Sequence, residues 1–569
     1  MNFPAFYARR LAPAVLAVLV FAAFPVKAQE DVVLQAMQTE LDRSMEALGI
    51  EKVPPYFLSY EITETRGFTT AAEFGALTAS DQGHMRTLDI DLRVGDYELD
   101  NTRRLRDQRI FFAAPAAEPV QVPVEDDANA LRAVLWSQTD RHYKRALERF
   151  TRVETDVQVK VETVDKAGDF SPAPASKAVE AMPPLEADPG QWQRKVERYT
   201  APFAEHGEIY DARARFEAEV ETRWFVNSEG SALRSSRTAY RLFVTARTKA
   251  DDGMELPLNL SYFALNPAGL PDDETVENEI VEMIATLLAL REAPLVEPYT
   301  GPAILAGEAS GVFFHEILGH RVEGHRQKSE EEGQTFRKKV GERLLPKSFS
   351  VYFDPTVWHY GNTDLAGAYR FDNEGIEAQR VTVIEDGIFR NFLMSRSPID
   401  GFASSNGHGR KEPGHRTVSR QSNLIVEVAQ PLSRQELNAR LIADIEKEGK
   451  PFGLRIEQIR GGFTTTGRIM PNSFNVTPLV VYRVYPDGSE ELVRGVDLIG
   501  TPLTTLSRVV AGDDQVAVFN GICGAESGGV PVSAASPSIL VSQIEVQKKA
   551  KSQSRPPILP PPLEPADPG

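Results

Sequence analysis

Several segments of the chain alternate apolar and polar residues, which is the period of a β-strand with one buried face. In the first half these segments are 56–62, 88–94, 210–220 and 240–246. The turn-like residues Asn227–Gly230 between the last two predict a long antiparallel hairpin. Apolar residues at helical spacing instead predict helices, and these cover 34–48, 127–150 and 273–292. The first half is therefore predicted to combine helices with a sheet.

A passage rich in proline and glycine, 292–302, marks a predicted boundary between two domains. Beyond it, a predicted helix near 307–324 precedes a run of strands with hairpin turns at 386–387 and 486–488. A serine and a glutamate at capping-box spacing predict a further helix over 433–448. The fold class predicted from these patterns is α+β, with a mixed N-terminal domain and a β-rich C-terminal domain.

The predicted division of the chain follows these boundaries. It comprises an N-terminal domain at 29–295, a C-terminal domain at 296–548 and a disordered, proline-rich tail at 549–569. Within the first domain, the segment 165–190 contains five prolines and is predicted to be an exposed insertion.

The first 28 residues have the pattern of a secretory signal peptide. Arg9 and Arg10 precede a short apolar stretch, and Val26–Ala28 resembles a signal-peptidase site. The alternative is a membrane anchor, but the apolar stretch is shorter than the roughly 20 residues that a span requires. We therefore expect cleavage after Ala28, export to a bacterial periplasm and a mature chain without a membrane span.

Composition narrows the classes of partner. The chain has 569 residues and a formal net charge of −18, which argues against nucleic-acid binding because phosphates require an electropositive surface. It contains a single cysteine, Cys523, so no disulfide can form within the chain. Exported proteins usually pair their cysteines, and the lone thiol therefore needs another explanation.

The strongest chemical motif is HExxxH, formed by His315, Glu316 and His320. It is one residue longer than HExxH, in which both histidines share a helix face. Five residues in a regular helix rotate about 500°, so the two histidines would diverge by roughly 140°. They could share a metal if Gly319 eased a π-bulge. The alternative is a surface helix with incidental histidines, although three of the nine histidines lie within 315–325.

A zinc site needs at least a third protein ligand. The candidates are Glu323, His325 and Cys523. The glycines that flank Cys523 predict a tight loop, and a thiolate bound to zinc would account for the single thiol. We therefore expect Cys523 to be the third ligand, with His325 as the fallback.

The remaining candidate residues concern catalysis. Zinc lowers the pKa of a coordinated water to about 7, and Glu316 could accept the proton of that water and deliver it to a leaving amine. The glycine-rich stretch 406–416 carries His408, Arg410 and His415, which are candidate donors to an oxyanion or to substrate. The alternative for this stretch is an exposed polar loop.

Five motifs in the second half resemble the TldD/PmbA family of metalloproteases. They are GEASGVFFHEILGHRVEG at 307–324, FDNEGIEAQRVTVIEDGIFRNFLMS at 371–395, SNGHGRKEPGHR at 405–416, VRGVDLIGTPLTTL at 493–506 and FNGICGAESGGVPVSAASPSILV at 519–541. The first half is similar to the family only in its overall layout.

The resemblance implies a zinc peptidase. When the family's site is carried over to this sequence, the resemblance implies one zinc ion per chain, held by His315, His320 and Cys523. It also implies that Glu316 is the catalytic carboxylate. The family's two-domain architecture, its dimers and its enclosed site imply peptides or unfolded segments as substrates. The implied partner is a second copy or a related subunit, since some family complexes pair an active subunit with one that lacks the motif.

The chain departs from the family in two respects. Classical members are cytoplasmic, whereas this chain carries a predicted signal peptide, and His325 stands where the family often has an acidic residue. The leading hypothesis is an exported zinc-dependent peptidase. The alternatives are a catalytically idle, metal-bound peptide-binding subunit and a hydrolase of another amide, such as a cell-wall peptide link.

Overall fold

The computed structural model describes residues 31–105, 119–159, 165–328, 332, 334–467 and 473–549. The predicted signal peptide at 1–28 lies outside the described residues, as does the predicted tail apart from Lys549. Within these ranges, no helix combines the length and the apolar character needed to cross a membrane.

The first half of the described chain builds one largely antiparallel sheet. Its strands are β1 (Pro55–Glu73), β2 (Ala76–Val94), β3 (Val120–Gln121), β4 (Lys177–Val179), β5 (Ile209–Asn227), β6 (Ala232–Lys249) and β7 (Glu255–Ala264). They are arranged in the order β3-β2-β1-β5-β6-β4, with β7 also paired to β6. The predicted hairpin turn is confirmed, because β5 and β6 pair antiparallel on either side of Asn227–Gly230 and Gly230 has φ +96°.

Four long helices pack against this sheet. They are α1 (Val32–Leu48), α2 (Ala128–Val159), α3 (Pro189–Thr200) and α4 (Asp273–Glu292). The predicted apolar face of α4 is confirmed, since Val276, Ile280, Ile284 and Leu287 are all buried. On α3, the ring of Trp192 stacks on Phe216 of β5 with 3.5 Å between ring centroids. Helices and strands therefore share apolar cores, as the periodicity requires.

The second half is richer in strands. These are β8 (Tyr299–Leu305), β9 (Phe349–Phe353), β10 (His359–Tyr360), β11 (Thr363–Asp364), β12 (Val381–Glu385), β13 (Ile388–Phe389), β14 (Gly409–Arg410), β15 (Val418–Ser419), β16 (Asn423–Val428), β17 (Gly453–Thr464), β18 (Phe474–Val484), β19 (Glu490–Val493), β20 (Val496–Gly500), β21 (Val509–Ala525) and β22 (Gly528–Lys548). The helices are α5 (Gly307–Ile317), α6 (His325–Lys328), α7 (Arg434–Lys447) and α8 (Pro502–Leu506).

Most of these strands join one mixed sheet around the long strand β22. Strands β8, β17, β18, β20 and β22 form a closed ring, because β22 pairs with both β20 and β8. Strand β21 pairs with β22 as a hairpin. Helix α5 packs against β17, β21 and β22, and Gly311 lets its backbone approach Ala534 of β22 closely. The α+β fold class is confirmed.

Local sequence signals in this half are also confirmed. The predicted capping box is present, since Ser433 Oγ accepts from the Glu436 amide and the Glu436 carboxylate accepts from the Ser433 amide. The turns at 386–387 and 486–488 connect antiparallel strand pairs, with Gly387 and Gly488 at positive φ. The predicted division at 295/296 stays a prediction. The seven-stranded sheet lies before it, and the eleven-stranded sheet and two small two-stranded sheets lie after it.

The proline-rich segment 165–190 was predicted to be exposed, but part of it is buried. Phe170 is 3% exposed, and its ring lies 3.9 Å from the guanidinium of Arg396 in the second half. The amide of Ser171 donates to the carbonyl of Arg396 at 2.8 Å. Proline composition does not report the tertiary contacts that bury this part of the backbone.

Candidate metal centre

Helix α5 ends at Ile317, so the predicted helix over 307–324 is wrong beyond that residue. Leu318 has φ −112°, far from the helical average, and Gly319–Arg321 form a 3₁₀ turn. The chain therefore changes direction between the two motif histidines without a π-bulge. The rings of His315 and His320 lie 5.0 Å apart, centroid to centroid, at 84° to each other.

Gly319 has a different role from the predicted easing of a bulge. A Cβ atom at this position would lie 1.9 Å from Oε1 of Gln421, a fully buried residue just before β16. Any side chain at position 319 would therefore displace Gln421. The glycine allows the turn that carries His320 to pack against the buried segment at Gln421.

Cys523 lies on strand β21 and not in the tight loop that its flanking glycines predicted. It pairs with Val530 near the end of the β21–β22 hairpin. This hairpin brings the thiol against the histidine motif, with Cys523 Sγ at 3.3 Å from His320 Nε2.

One nitrogen each of His315 and His320 and the sulfur of Cys523 all lie within 4.8 Å of one another. Ligand atoms on a tetrahedral zinc ion are separated by roughly 3.5 Å, as follows from Zn–N and Zn–S bonds of about 2.1 and 2.3 Å. The set contains imidazole and thiolate donors, which zinc prefers. These three residues therefore fit a zinc ion.

The charges of the three groups favour the ligating form of the thiol. Burial by itself would raise the pKa of Cys523, but the neighbouring His320 and His315 lower it well below its usual value. Burial would likewise lower the pKa of His320, whereas Cys523 and Glu323 raise it. A thiolate is the form of cysteine that binds a metal.

Glu323, one of the candidate ligands, lies behind His320. It is fully buried, and its Oε2 lies 3.4 Å from His320 Nδ1, on the ring edge opposite Cys523. Arg326 Nε donates to the same oxygen at 2.8 Å. Burial would raise the pKa of Glu323, but Arg326 and His320 lower it to about 2. This geometry matches a carboxylate that orients a histidine ligand.

His325, the fallback ligand, is not part of the three-residue group. Its Nε2 forms a short contact with a carboxylate oxygen of Glu526, in the turn between β21 and β22. Arg326 Nη2 donates to the other oxygen of Glu526 at 2.9 Å. His325 therefore joins the histidine segment to the hairpin that carries Cys523.

Glu316 occupies the last turn of α5, next to His315. Its side chain is 5% exposed, and Oε2 has no hydrogen-bond partner within the described part of the chain. Gly462 of β17 packs against this side chain, since a Cβ atom there would lie 2.8 Å from Glu316 Cγ. Burying a carboxylate oxygen without a hydrogen-bond partner costs folding free energy. Such an unsatisfied group is typical of a functional site.

The predicted donors of the 406–416 stretch are largely engaged in the protein itself. His408 is fully buried, its Nε2 lies 3.0 Å from Ser422 Oγ, and its Nδ1 lies 3.1 Å from Asn406 O. Arg410 Nη1 donates to the carbonyl of Gln421 at 2.5 Å. Burial lowers the pKa of His408 to about 3, so its ring is neutral. The exposed-loop alternative is thus wrong for these two residues.

His415 differs from the other two predicted donors. It is half-buried beside the β21–β22 hairpin, and its Nδ1 lacks a partner among the described residues. The oxyanion role predicted for all three residues stays a prediction.

Sequence reasoning missed the segment that connects this stretch to the histidines. Five consecutive polar residues are fully buried, namely Ser419, Arg420, Gln421, Ser422 and Asn423. Gln421 Nε2 lies 3.4 Å from His315 Nε2. In the sequence, a run of polar residues is typical of a solvated loop, and the only signal for this run is its position shortly after the 405–416 motif.

A cleft of about 460 Å³ separates the first sheet from the hairpin of Cys523. Its walls include Glu221 and Arg237 of the first sheet, Tyr369 and Arg410 of the second half, and Ile522 and Val530 of the hairpin. Ile522 is 62% exposed. An open, mixed polar and apolar cavity therefore lies next to the strand that carries the thiol.

Comparisons with known proteins agree with this architecture. Residues 298–548 match the PmbA/TldA metallopeptidase C-terminal domain. A metalloprotease of Methanothermobacter thermautotrophicus is 27% identical over 323 residues, 56% of this chain and 65% of the relative. A zinc metalloprotease TldD homolog of Saccharolobus solfataricus is 24% identical over 247 residues, 43% of this chain and 51% of the relative. The chain thus spans between half and two thirds of these curated relatives.

The fold similarity extends further than the sequence match. The crystal structure of TldE from Thermococcus kodakarensis superimposes with a TM-score of 0.58 at 13% identity, over 90% of this chain and all of that chain. At this identity the comparison concerns the fold alone. The matched domain at residues 298–548 and the similarity to curated metalloproteases, including TldD homologues, support the TldD/PmbA family for this chain.

Proposed function

We propose that this chain is an exported zinc-dependent peptidase that hydrolyses peptides or unfolded segments. The observation that carries the proposal is the convergence of His315, His320 and Cys523, whose donor atoms lie within 4.8 Å of one another. The names of the curated relatives, metalloprotease and zinc metalloprotease, support the reaction class and the metal.

His315, His320 and Cys523 would hold the ion. Zinc bound by them supplies Lewis acidity toward a substrate carbonyl and toward water. Glu316 accepts a proton at its carboxylate from the attacking water and then donates it to the nitrogen of the leaving amine. Its burial and the unpartnered Oε2 support this role, because a carboxylate without a protein partner can accept that proton.

The cleft beside the hairpin supports an extended substrate. Its volume of about 460 Å³ accommodates a short stretch of polypeptide but no folded domain. Paired charges such as Glu221 with Arg237, at 3.2 Å, offer polar contacts to a peptide backbone. We therefore propose peptides and unfolded segments as the substrate class.

The active assembly is proposed to contain two subunits. The family resemblance supports either a homodimer or a heterodimer with a related subunit, and the fold similarity to TldE is compatible with both. Export rests on the signal-peptide pattern at 1–28 and would place the enzyme in the periplasm.

The decisive experiment is digestion of a peptide pool by the purified mature chain, read out by mass spectrometry, with Glu316→Gln in parallel. Cleavage by the wild type alone supports the peptidase and the role of Glu316. Equal cleavage by both proteins would contradict that role. Absence of cleavage by both, with zinc bound, would favour the idle peptide-binding subunit or the need for a related partner.

A further inference from the structure

A fully buried arginine, Arg420, contacts both halves of the candidate metal centre. Arg420 is fully buried, and its Nη2 donates to the backbone carbonyl of Cys523. Its Nη1 donates to Ser527 Oγ at 2.7 Å and to the carbonyl of Gly528 at 3.0 Å. The guanidinium therefore binds the end of β21, the turn and the start of β22, which together fix the position of the thiol.

The same arginine faces the carboxylate behind His320. Arg420 Nε lies 3.4 Å from Oε1 of Glu323, and both side chains are fully buried. The other oxygen of Glu323 lies 3.4 Å from His320 Nδ1. A continuous path thus runs from the His320 ring through Glu323 and Arg420 to the backbone of Cys523.

The buried charges and the planar guanidinium make this path rigid. A buried charge that loses its partner costs several kcal/mol, so neither Glu323 nor Arg420 can turn away from the other into an apolar interior. The planar guanidinium presents its donors in a fixed fork, which ties the direction toward Glu323 to the direction toward Cys523. Moving the hairpin would break the hydrogen bonds that Arg420 donates to it or separate the guanidinium from Glu323.

We propose that Glu323 and Arg420 are positioning residues that hold His320 and Cys523 in a metal-binding arrangement before the ion enters. Glu323 holds the His320 ring with Nδ1 toward its carboxylate, which leaves Nε2 directed at Cys523. Arg420 sets the distance between this histidine and a thiol 203 positions away in sequence. The proposal deepens the proposed function and rests on its metal site.

The chain offers a matched control for both residues. Arg396 is also fully buried, forms an ion pair with Glu229 at 2.7 Å and donates to the backbone carbonyl of Ser171. This second pair lies where the two halves of the chain meet and makes no contact that the structure records with His315, His320 or Cys523. Loss of either arginine should therefore destabilise the fold, but only Arg420 should affect the metal.

The test measures zinc affinity by chelator competition for Glu323→Gln and Arg420→Met, with Glu229→Gln and Arg396→Met as controls. Loss of a group that orients a metal ligand typically weakens binding by about 10- to 100-fold. We expect that loss for both test variants and unchanged affinity for both controls. Arg420→Lys keeps the charge without the fork, so its affinity should lie between those of the wild type and Arg420→Met.

A second readout reports the ligand set directly. Cobalt(II) bound by the wild type should show thiolate-to-cobalt absorption, and Arg420→Met should weaken or shift that band while Arg396→Met leaves it unchanged. Glu323→Gln is nearly isosteric and keeps the measurement possible if Arg420→Met does not fold. Wild-type zinc affinity in Glu323→Gln, or an equal loss in test and control variants, would overturn the proposal.

These results also separate the proposal from the proposed function. A wild-type chain that binds zinc but cleaves no peptide would contradict the peptidase, whereas the affinity comparison would still decide the positioning role. A wild-type chain that binds no zinc would contradict both. Zinc bound equally well by wild type and test variants would contradict the positioning role alone.

Discussion

Cys523 Sγ lies 3.3 Å from His320 Nε2, although 203 positions separate the two residues in sequence. The contact joins the 3₁₀ turn after α5 to the last residues of β21. Both elements are fixed by packing, because α5 lies on β21 and β22 and the hairpin is anchored in the large sheet. The metal centre is therefore assembled by the C-terminal fold as a whole.

Replacing Cys523 with serine should sharply reduce zinc binding. The hydroxyl stays protonated at neutral pH and is a poor zinc ligand, so the loss should exceed the roughly 10- to 100-fold typical of an outer-shell change. Metal analysis after gel filtration, together with chelator competition, measures it. Full zinc occupancy in Cys523→Ser would move the third-ligand role elsewhere, with His325→Ala as the next variant.

Replacing Glu316 with glutamine should preserve zinc binding and remove turnover. The change keeps the size of the side chain but eliminates its ability to accept a proton, which typically costs a factor of about 10² to 10⁴ in rate. Peptide hydrolysis and zinc content are measured on the same preparation. A variant that retains zinc and the wild-type rate would exclude Glu316 as the base.

Replacing Arg396 with methionine should destabilise the chain by about 3–5 kcal/mol, the usual effect of removing one partner from a buried ion pair. Glu229 would lose its cationic partner and keep the hydroxyl of Tyr97, and the carbonyl of Ser171 would lose the donors of Arg396. Denaturant unfolding of wild type and variant gives the difference. A difference below about 1 kcal/mol would show that water replaces the guanidinium at this junction.

The buried side chain of Glu374 should make the free energy of unfolding depend on pH. Burial and the nearby carboxylate of Asp372 raise the pKa of Glu374 above its usual value of about 4.3. The native state therefore holds a proton that the unfolded chain has already released, and stability falls as pH rises above about 4 toward the native pKa. Glu374→Gln should remove this part of the dependence. The Tm of the variant relative to that of the wild type should therefore rise between pH 5 and pH 8. Parallel Tm curves for the two proteins would contradict the assignment.

Removing the capping box of α7 should have a small, local effect. Ser433→Ala loses the side-chain acceptor for the Glu436 amide, which typically costs about 1 kcal/mol. Thermal unfolding detects the change, and zinc affinity should be unaffected because α7 lies away from the three ligands. A change in zinc affinity would show that α7 is coupled to the metal centre.

Much of the fold follows from local patterns in the sequence. Strand alternation at 210–220 and the helical stripe on α4 each reflect which face must be buried, and that information is contained in consecutive residues. The capping box at Ser433 is equally local. The spacing of His315, Glu316 and His320 also indicated metal chemistry, because these residue types within six positions are already a chemical motif.

The sequence alone determined the elements, the histidine motif and the resemblance to a family, whereas the tertiary structure decided how distant groups meet. No local pattern reveals that α5 ends at Ile317 or that Cys523 lies on a strand against His320. Nor does sequence distinguish the buried polar run at 419–423 from a solvated loop, since burial depends on what packs over it. The physical reason is that periodicity reports contacts along one element, while ligand convergence depends on pairing and packing between elements far apart in the chain.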